Sequence, residues 1–162
     1  MVDRRIHEPL VTPGQITHTF SKQEVAALVA QWLEVFGQER FGVNTHAYLW
    51  HVFSYERFPS VSGEPAQAAY DQQQAHDYIV LSNDRDLAFR TDQRPVRAKL
   101  RDYQVFPPNL AWTMSFTHED GWLGPYFAKH PRYDTLNAVN LAKIQKARDI
   151  EAARRKGWLR EE

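Results

Sequence analysis

Two stretches of the chain each hold a pair of short apolar runs joined by a polar turn, an arrangement typical of antiparallel strands. The first stretch, DYIVLSNDRDLAFRT, predicts strands over residues 77–82 and 86–91. The second, LRDYQVFPPNLAWTMSF, predicts two more strands around the proline turn at residues 107–109. A further strand is predicted over residues 47–58, where aromatic and branched side chains alternate between two faces. The sequence therefore predicts an antiparallel sheet of about five strands.

Three helices are predicted beside these strands. A capping-box pattern starts at Ser21, and apolar residues then recur at helical spacing until Gly37. A short middle helix is predicted to begin near Pro65, and a long C-terminal helix to run from Asp134 to Gly157. The residues before the first helix show no clear period, and we expect an irregular arm or a short edge strand there. Helices together with an antiparallel sheet make the predicted fold class α+β.

The size of the chain predicts one domain. Its 162 residues, 43% of them hydrophobic, are enough to bury a core. We expect a single α+β domain over residues 1–132, which includes the N-terminal arm, and a C-terminal helix over residues 133–162. That helix has an apolar stripe, which has to be covered either by the domain or by a second copy in a homodimer. The stripe consists of Leu136, Val139, Ile144, Ala147 and Ile150.

The composition argues against several classes of partner. The 20 Lys and Arg residues equal the 20 Asp and Glu residues, so no excess of one sign is available to hold a nucleic-acid backbone or an anionic membrane surface. There is no cysteine, which excludes a disulfide scaffold and thiolate chemistry. No apolar run has the length of a signal or membrane-spanning segment. We therefore expect a cytoplasmic protein without general nucleic-acid or membrane binding.

Candidate catalytic residues stand in two aromatic-rich segments. His51 lies in the first segment, and His118 and Glu119 follow the last predicted strand at a glycine turn. If the two segments were neighbours, these side chains would converge with Glu56 and Asp120 as metal ligands or as acid–base groups. The spacing matches none of the usual histidine metal motifs, however, and a core histidine or a plain turn accounts for the same residues. We therefore expect no metal and no cofactor, and an enzyme is the alternative hypothesis.

The same two segments are rich in tryptophan and tyrosine. Aromatic residues make up 13% of the chain, although its mean hydropathy is only −0.60. Trp and Tyr dominate the hot spots of protein interfaces, and they also form the cores of small domains. The sequence leaves both interpretations open. The residues predicted to form a binding surface are Tyr48, Trp50, Tyr55, Glu56, Asp120, Trp122 and Tyr126.

Three segments also resemble a known family. YLWHVFSYE at residues 48–56, SGEPAQAAYD at residues 62–71 and FTHEDGWLGPYF at residues 116–127 are similar to motifs of a family of small bacterial proteins described only as a domain of unknown function. The resemblance covers roughly residues 20–128. It implies a bacterial origin, but it implies no reaction, cofactor or catalytic residue.

These observations lead to two hypotheses of different class. Small bacterial domains that lack a reactive motif often bind another protein, as immunity proteins bind toxins, although fold alone does not decide function. We therefore predict a non-enzymatic binding protein, and within that class an immunity or antitoxin-like protein that inhibits a protein partner such as a toxin. The alternative is a small metal-dependent or His/Glu acid–base enzyme that uses His51, His118 and Glu119.

Overall fold

The computed structural model describes residues 9–38, 48–119 and 123–158, apart from the side chains of Tyr55 and Glu56. The strands are β1 (Val11–Thr12), β2 (Ile16–Thr19), β3 (Val61–Ser62), β4 (Tyr78–Ser82), β5 (Ala88–Thr91), β6 (Arg97–Ala98), β7 (Tyr103–Phe106), β8 (Trp112–Phe116) and β9 (Tyr126–Lys129). The helices are α1 (Lys22–Phe36), α2 (Glu64–Asp71) and α3 (Tyr133–Arg155), with a 3₁₀ helix at Leu49–Glu56. Within the described ranges, none of these helices is long and apolar enough to cross a bilayer.

The described strands form one large antiparallel sheet and one small ribbon. The large sheet has seven strands in the order β2-β5-β4-β7-β8-β9-β3, and β1 pairs with β6 in the ribbon. The predicted α+β class with an antiparallel sheet is confirmed, but the predicted number of about five strands is wrong. The four strands β4, β5, β7 and β8 lie where the two paired patterns predicted them. The strands β2, β3 and β9 are only two to four residues long, so backbone pairing with a neighbour, rather than a readable pattern, defines them.

The strand predicted over residues 47–58 is wrong, because the described part of this segment contains the 3₁₀ helix instead. A strand would direct neighbouring side chains to opposite faces, yet Leu49 and Trp50 are both buried on the same side of the large sheet. A 3₁₀ helix has three residues per turn, so Leu49 lines up with Val52 and Trp50 with Phe53. All four side chains are at most 3% exposed. Branched and aromatic residues mark burial here, not an extended backbone.

Helix α1 agrees with the prediction at both ends. The Ser21 hydroxyl accepts a hydrogen bond from the Glu24 N–H at 3.2 Å, and the Glu24 carboxylate accepts one from the Ser21 N–H at 2.9 Å. At the other end the Gly37 N–H donates to the Leu33 carbonyl at 2.8 Å. The residues that α1 buries are Val25, Val29, Trp32 and Phe36, which recur at the helical spacing predicted from the sequence.

The other two predicted helices are also present. Pro65 stands in the first turn of α2, where its missing N–H costs no hydrogen bond. Helix α3 begins at Tyr133, one residue before the predicted start, so Asp134 lies in its first turn. Gly157 ends the helix with φ +71°, a left-handed conformation that favours glycine.

The large sheet is covered on both faces. Helix α1 and the 3₁₀ helix cover one face, which we call the α1 face, while α2, the β1–β6 ribbon and the first part of α3 cover the other, the α2 face. The strands contribute to the apolar core of the α1 face with Ile79, Leu81, Ala88, Phe106, Tyr126 and Ala128. They contribute to the α2 face with Tyr78, Val80, Phe89, Tyr103, Val105, Trp112, Met114 and Phe127.

Candidate functional site

A buried carboxylate is the centre of the candidate site. Asp102 precedes β7, and its side chain is only 3% exposed. One carboxylate oxygen accepts a hydrogen bond from the backbone N–H of His118 at 2.6 Å, and the other accepts one from the indole N–H of Trp50 at 3.2 Å. Nδ1 of His118 lies 2.9 Å from both oxygens. Burying a carboxylate is costly unless it is paired and hydrogen-bonded, and these donors meet that requirement.

The β7–β8 hairpin brings Asp102 and His118 together. Tyr103 pairs with Phe116 across the hairpin, so the residues that flank this pair, Asp102 and Thr117, lie opposite one another, and His118 follows directly. Side chains alternate along β7, so Asp102 shares the α1 face with Phe106 and points toward the 3₁₀ helix. The hairpin turn therefore sets the contact between the carboxylate and the imidazole.

Asn83 ties the 3₁₀ helix to the same end of the sheet. Its backbone N–H donates to the Asp102 carbonyl at 3.0 Å, and its side-chain oxygen accepts the Leu49 N–H at 2.8 Å. The indole of Trp50 then reaches the Asp102 carboxylate from the next position in the helix. Three separate segments, the end of β4, the start of β7 and the 3₁₀ helix, are therefore joined by hydrogen bonds in one place.

Aromatic rings surround this hydrogen-bonded centre. The half-buried ring of Tyr48 stacks on Trp50 with centroids 5.3 Å apart, and it lies 5.3 Å from the ring of His118 and 5.6 Å from that of His51. Trp50 in turn stacks on Tyr126 at 5.9 Å. The two histidines named in the sequence analysis are therefore neighbours of one tyrosine ring, although they do not lie on adjacent strands.

The contact with Asp102 decides which nitrogen of His118 can accept a proton. The carboxylate already accepts two N–H groups, and it acts as an acceptor for the imidazole as well, so Nδ1 carries the ring proton. In the neutral ring, Nε2 then carries the lone pair. Nε2 lies 3.5 Å from a Glu119 carboxylate oxygen, and the two side chains are 18% and 38% exposed. Such an imidazole can accept or pass on a proton at the surface of the site.

A cleft of about 740 Å³ opens beside this cluster. The described residues that line it are His51, Phe53, Ser54, Phe58, Pro59, Ser60, Ser62, Leu123 and Tyr126. None of these is an acid, a lysine or an arginine. Tyr126 lines the cleft and also stacks on Trp50, whose indole N–H donates to the Asp102 carboxylate. The buried centre and the open cleft are therefore parts of one site.

Among the described residues that line the cleft, His51 and Tyr126 are titratable, and burial favours the uncharged form of both. Burial lowers the pKa of His51 below its ordinary value of 6.5, against the opposing effect of the Glu119 charge. Burial raises the pKa of Tyr126, and the same Glu119 charge raises it further. Nδ1 of His51 lies 3.2 Å from the Ser54 hydroxyl, so this pair supplies hydrogen-bonding groups without a net charge.

A glycine turn places the last wall of the cleft. Gly124 has φ +96°, and a Cβ at this position would lie only 3.0 Å from the Thr117 methyl group. The Thr117 hydroxyl donates a hydrogen bond to the Leu123 carbonyl across the same close approach. The turn therefore requires glycine and leaves the Leu123 side chain 37% exposed at the rim of the cleft.

The structure brings together only part of the predicted site. His118 and Glu119 are in contact, and His51, Tyr48 and Tyr126 belong to the same cluster. Trp50 is 1% exposed, so it forms a wall of the site from inside the core. Four of the predicted residues lie outside the described part of the chain, two of them by their side chains only, and their roles stay predictions. They are Tyr55, Glu56, Asp120 and Trp122.

Sequence reasoning missed Asp102 and did not use Ser54. The segment RDYQVF contained a signal for Asp102, because alternation along the strand places it on one face with Gln104 and Phe106, both of which are buried. A carboxylate on that face requires a buried partner. Among the side chains that the structure describes, no group of three or more histidines and carboxylates is arranged to hold a metal ion.

The fold and the site define a small α+β protein in which a buried carboxylate holds a partly buried histidine next to a 3₁₀ helix, beside a cleft whose described lining includes no acid, lysine or arginine. The chain belongs to the family described as Domain of unknown function (DUF4275), whose model matches residues 34–127. This match confirms the resemblance to a domain-of-unknown-function family, and its range contains Asp102, His118 and the whole described lining of the cleft, whereas α3 lies outside it. No curated protein and no solved structure matches the chain.

Proposed function

We propose that this protein is a non-enzymatic binding protein that receives a protein partner in the cleft beside the 3₁₀ helix. The observation that carries the proposal is the lining of the cleft, in which aromatic rings and hydroxyl groups stand side by side and the described residues include no acid, lysine or arginine. A lining of this kind suits the apolar and hydrogen-bonding side chains at the centre of a protein interface, where charged residues are depleted.

The walls of the cleft support this proposal through their rigidity. Phe53 is 3% exposed and packs on Trp32, Phe58 and Tyr126 with ring centroids between 5.7 and 6.2 Å apart. Trp50 supports the ring of Tyr126 from behind. Walls that are already ordered lose little conformational entropy on binding, and this favours affinity. In this proposal Trp50 and Tyr126 act by holding the shape of the cleft, and Leu123 at the rim makes the direct contact.

The inhibitory role is the finer form of the proposal. An immunity or antitoxin-like protein has to bind its target tightly, and a preformed cleft with an apolar rim supports such binding. The proposal also includes a bacterial host and a cytoplasmic location. Once the partner is purified, its activity should fall in proportion to the amount of this protein added, up to a stoichiometric ratio.

A capture experiment with matched leucine variants tests the proposal. The tagged wild-type chain and the variants Leu123→Asp and Leu141→Asp are used to capture partners from host lysate, and the captured proteins are identified by mass spectrometry. Leu123 lies at the cleft, whereas Leu141, which is 47% exposed on α3, is a control for a new charge on an exposed leucine. We expect one partner that wild type and Leu141→Asp capture and that Leu123→Asp binds at least about ten-fold more weakly. Equal capture by both variants, or no partner in any sample, would contradict the proposal.

A second function is favoured by the contact between Asp102 and His118. A carboxylate that holds Nδ1 and leaves the lone pair on Nε2 is the arrangement by which enzymes orient a general base. The proposed activity is hydrolysis of an uncharged substrate that occupies the cleft and extends from it to His118, which lies beside the cleft and not in its described lining. Nε2 of His118 would accept the proton of the attacking water.

Turnover of a panel of uncharged esters and amides tests this second function. We expect His118→Gln to lower any turnover by about 100-fold or more, while the far-ultraviolet circular dichroism stays unchanged. His76→Gln is the control, since His76 is an exposed histidine paired with a carboxylate, Asp77, at 3.1 Å. Turnover that survives His118→Gln, or no turnover with any substrate of the panel, would remove the hypothesis.

A further inference from the structure

The two halves of α3 are held differently. In the first half, the Asn109 side chain donates a hydrogen bond to the Leu136 carbonyl at 3.0 Å, and Asn140, which is 4% exposed, donates one to Asn109 at 3.3 Å. Asn140 is the last residue that α3 buries within the described chain. Beyond it, a groove of about 810 Å³ lies between the helix and the end of the large sheet. The second half of the helix therefore has an inner side that the described part of the domain does not cover.

This inner side is apolar at its centre. Ile144, Ala147 and Ala152 line the groove from α3, and Ala75 lines it from the opposite wall. Ile144 and Ala147 are half-buried and belong to the apolar stripe that the sequence showed. An apolar strip between two walls is the part of the surface that gains most from being covered.

The two walls of the groove carry charges of opposite sign. The wall formed by the sheet end carries Asp77 and Asp92. The helix wall carries three basic side chains and the carboxylate of Glu151, which already lies 3.3 Å from Arg155. The three basic residues are Arg148, Arg155 and Lys156. A surface with one acidic and one basic side would therefore fit the groove if its acidic side faced the helix wall and its basic side faced the sheet wall.

An exposed tryptophan follows directly after the helix. Trp158 is 73% exposed, and Nζ of Lys156 lies 4.7 Å from the centroid of its ring. Its backbone is held, because the Trp158 N–H donates to the Ala153 carbonyl at 2.9 Å after the left-handed turn at Gly157. An indole that is ordered and still faces water is a strong candidate for an interface anchor.

We propose that a second copy of this chain covers the groove, in a two-fold symmetric dimer in which Trp158 of each copy enters the groove of the other. A two-fold interface brings the same surface together from both sides, so it has to be complementary to itself. The basic helix wall of one copy then faces the acidic sheet wall of the other, and the apolar strip receives the indole. The groove shares no described residue with the cleft, so this proposal is independent of the proposed function.

Sedimentation velocity of the full chain over a wide concentration range tests the dimer. We expect wild type to sediment with twice the mass of the chain, and Trp158→Ala to raise the dimer dissociation constant at least about ten-fold. Val96→Ala is the control, because Val96 is also 73% exposed and lies outside the groove. The removal of such an exposed ring should leave the thermal unfolding of the monomer unchanged.

A charge exchange tests the arrangement of the walls. Asp77→Lys and Arg148→Glu should each weaken the dimer, because each places like charges opposite one another, and the double variant should recover part of the affinity. A wild-type chain that stays monomeric at every concentration overturns the proposal. A dimer that neither Trp158→Ala nor the charge exchange affects overturns it as well, because its interface then lies elsewhere.

Discussion

On β8, Trp112 and Met114 belong to the α2 face of the large sheet, whereas Thr113 and Ser115 belong to the α1 face, and all four side chains are fully buried. The same division occurs at β7, where Tyr103 and Val105 face α2, while Gln104 and Asp102, the residue just before the strand, face α1. The α2 face is therefore filled mainly by aromatic and aliphatic residues, while the α1 face combines an apolar core with a strip of polar side chains at one end.

The comparison indicates what each face of the large sheet contributes to the protein. Buried polar groups stabilise a fold only where they are hydrogen-bonded, and otherwise they cost free energy. On the α1 face some are bonded, such as Thr113, which accepts the Trp32 indole N–H at 2.9 Å. The side chains of Gln104 and Ser115 have no hydrogen-bond partner among the described residues. The α2 face therefore supplies stability by packing, whereas the α1 face keeps polar groups next to the candidate site.

Truncating the centre of the α2 face should have the largest effect. Trp112 is fully buried, and it packs on Phe127, Tyr70 and Tyr78 with ring centroids 5.8 to 6.2 Å apart. Its indole N–H makes no hydrogen bond to the described chain, so the contribution of this side chain is packing. We expect Trp112→Ala to lower the free energy of unfolding by about 3–5 kcal/mol, as measured by urea denaturation. A loss below about 1 kcal/mol would contradict the statement that the α2 face stabilises the fold by packing.

Removing the central carboxylate of the α1 face should have the next largest effect. Asp102→Ala leaves the Trp50 indole and the two N–H groups of His118 without their acceptor. We expect the free energy of unfolding to fall by about 2–3 kcal/mol, because buried donors are left unsatisfied. Asp102→Asn keeps one acceptor oxygen and should lose less. If both variants unfold at the wild-type urea concentration, the carboxylate does not hold this end of the sheet.

Two hydroxyl groups on β8 allow a hydrogen-bonded polar side chain of the α1 face to be compared with one that has no described partner. Thr113→Ala leaves the Trp32 indole N–H unsatisfied and should cost about 1–2 kcal/mol of unfolding free energy. Ser115→Ala removes a hydroxyl that has no partner in the described residues, and it should change stability by less than about 0.5 kcal/mol or raise it. Both variants are measured by urea denaturation. Equal losses in the two would mean that Ser115 also has a partner in solution.

The smallest expected effect is a pH dependence from the cleft. Because burial lowers the pKa of His51 in the folded state, the unfolded chain binds this proton more readily. Stability from this residue is therefore complete above pH 6.5, the ordinary value, and is lost as the pH falls below it. His51→Gln should flatten the fall in thermal midpoint between about pH 7 and 5. Burial also lowers the pKa of His130, which lies outside the described lining of the cleft. His130→Gln should therefore flatten the same slope, and it shows how much of the pH dependence comes from a histidine elsewhere in the fold. An unchanged slope in His51→Gln would mean that the ring is solvated.

The local elements of the fold could be predicted from local patterns. Helix α1 was predicted at both ends because its capping box and its glycine stop act over three or four residues. The hairpins of β4–β5 and β7–β8 were predicted because each has a turn of Pro, Asn or Asp between two apolar runs. The 3₁₀ helix was not predicted, since its aromatic residues are equally compatible with a strand until their burial is known.

The site could be predicted only where its residues are neighbours in the chain. His118 and Glu119 are adjacent, so their contact needed no knowledge of the fold. Asp102 is sixteen residues away from His118, and only the pairing of β7 with β8 brings the two together. The placement of Trp50 inside the core, and not in an interface, likewise depended on which face the 3₁₀ helix covers.

The sequence by itself determined the α+β class, three helices, two hairpins and the two aromatic segments, because caps, turns and periodicity are interactions between residues close in the chain. The tertiary structure alone decided the pairing of the edge strands, the 3₁₀ helix, the partner of His118 and the side of the sheet on which each polar group lies. These depend on contacts between segments far apart in sequence, and burial is a property of the assembled faces rather than of any one segment.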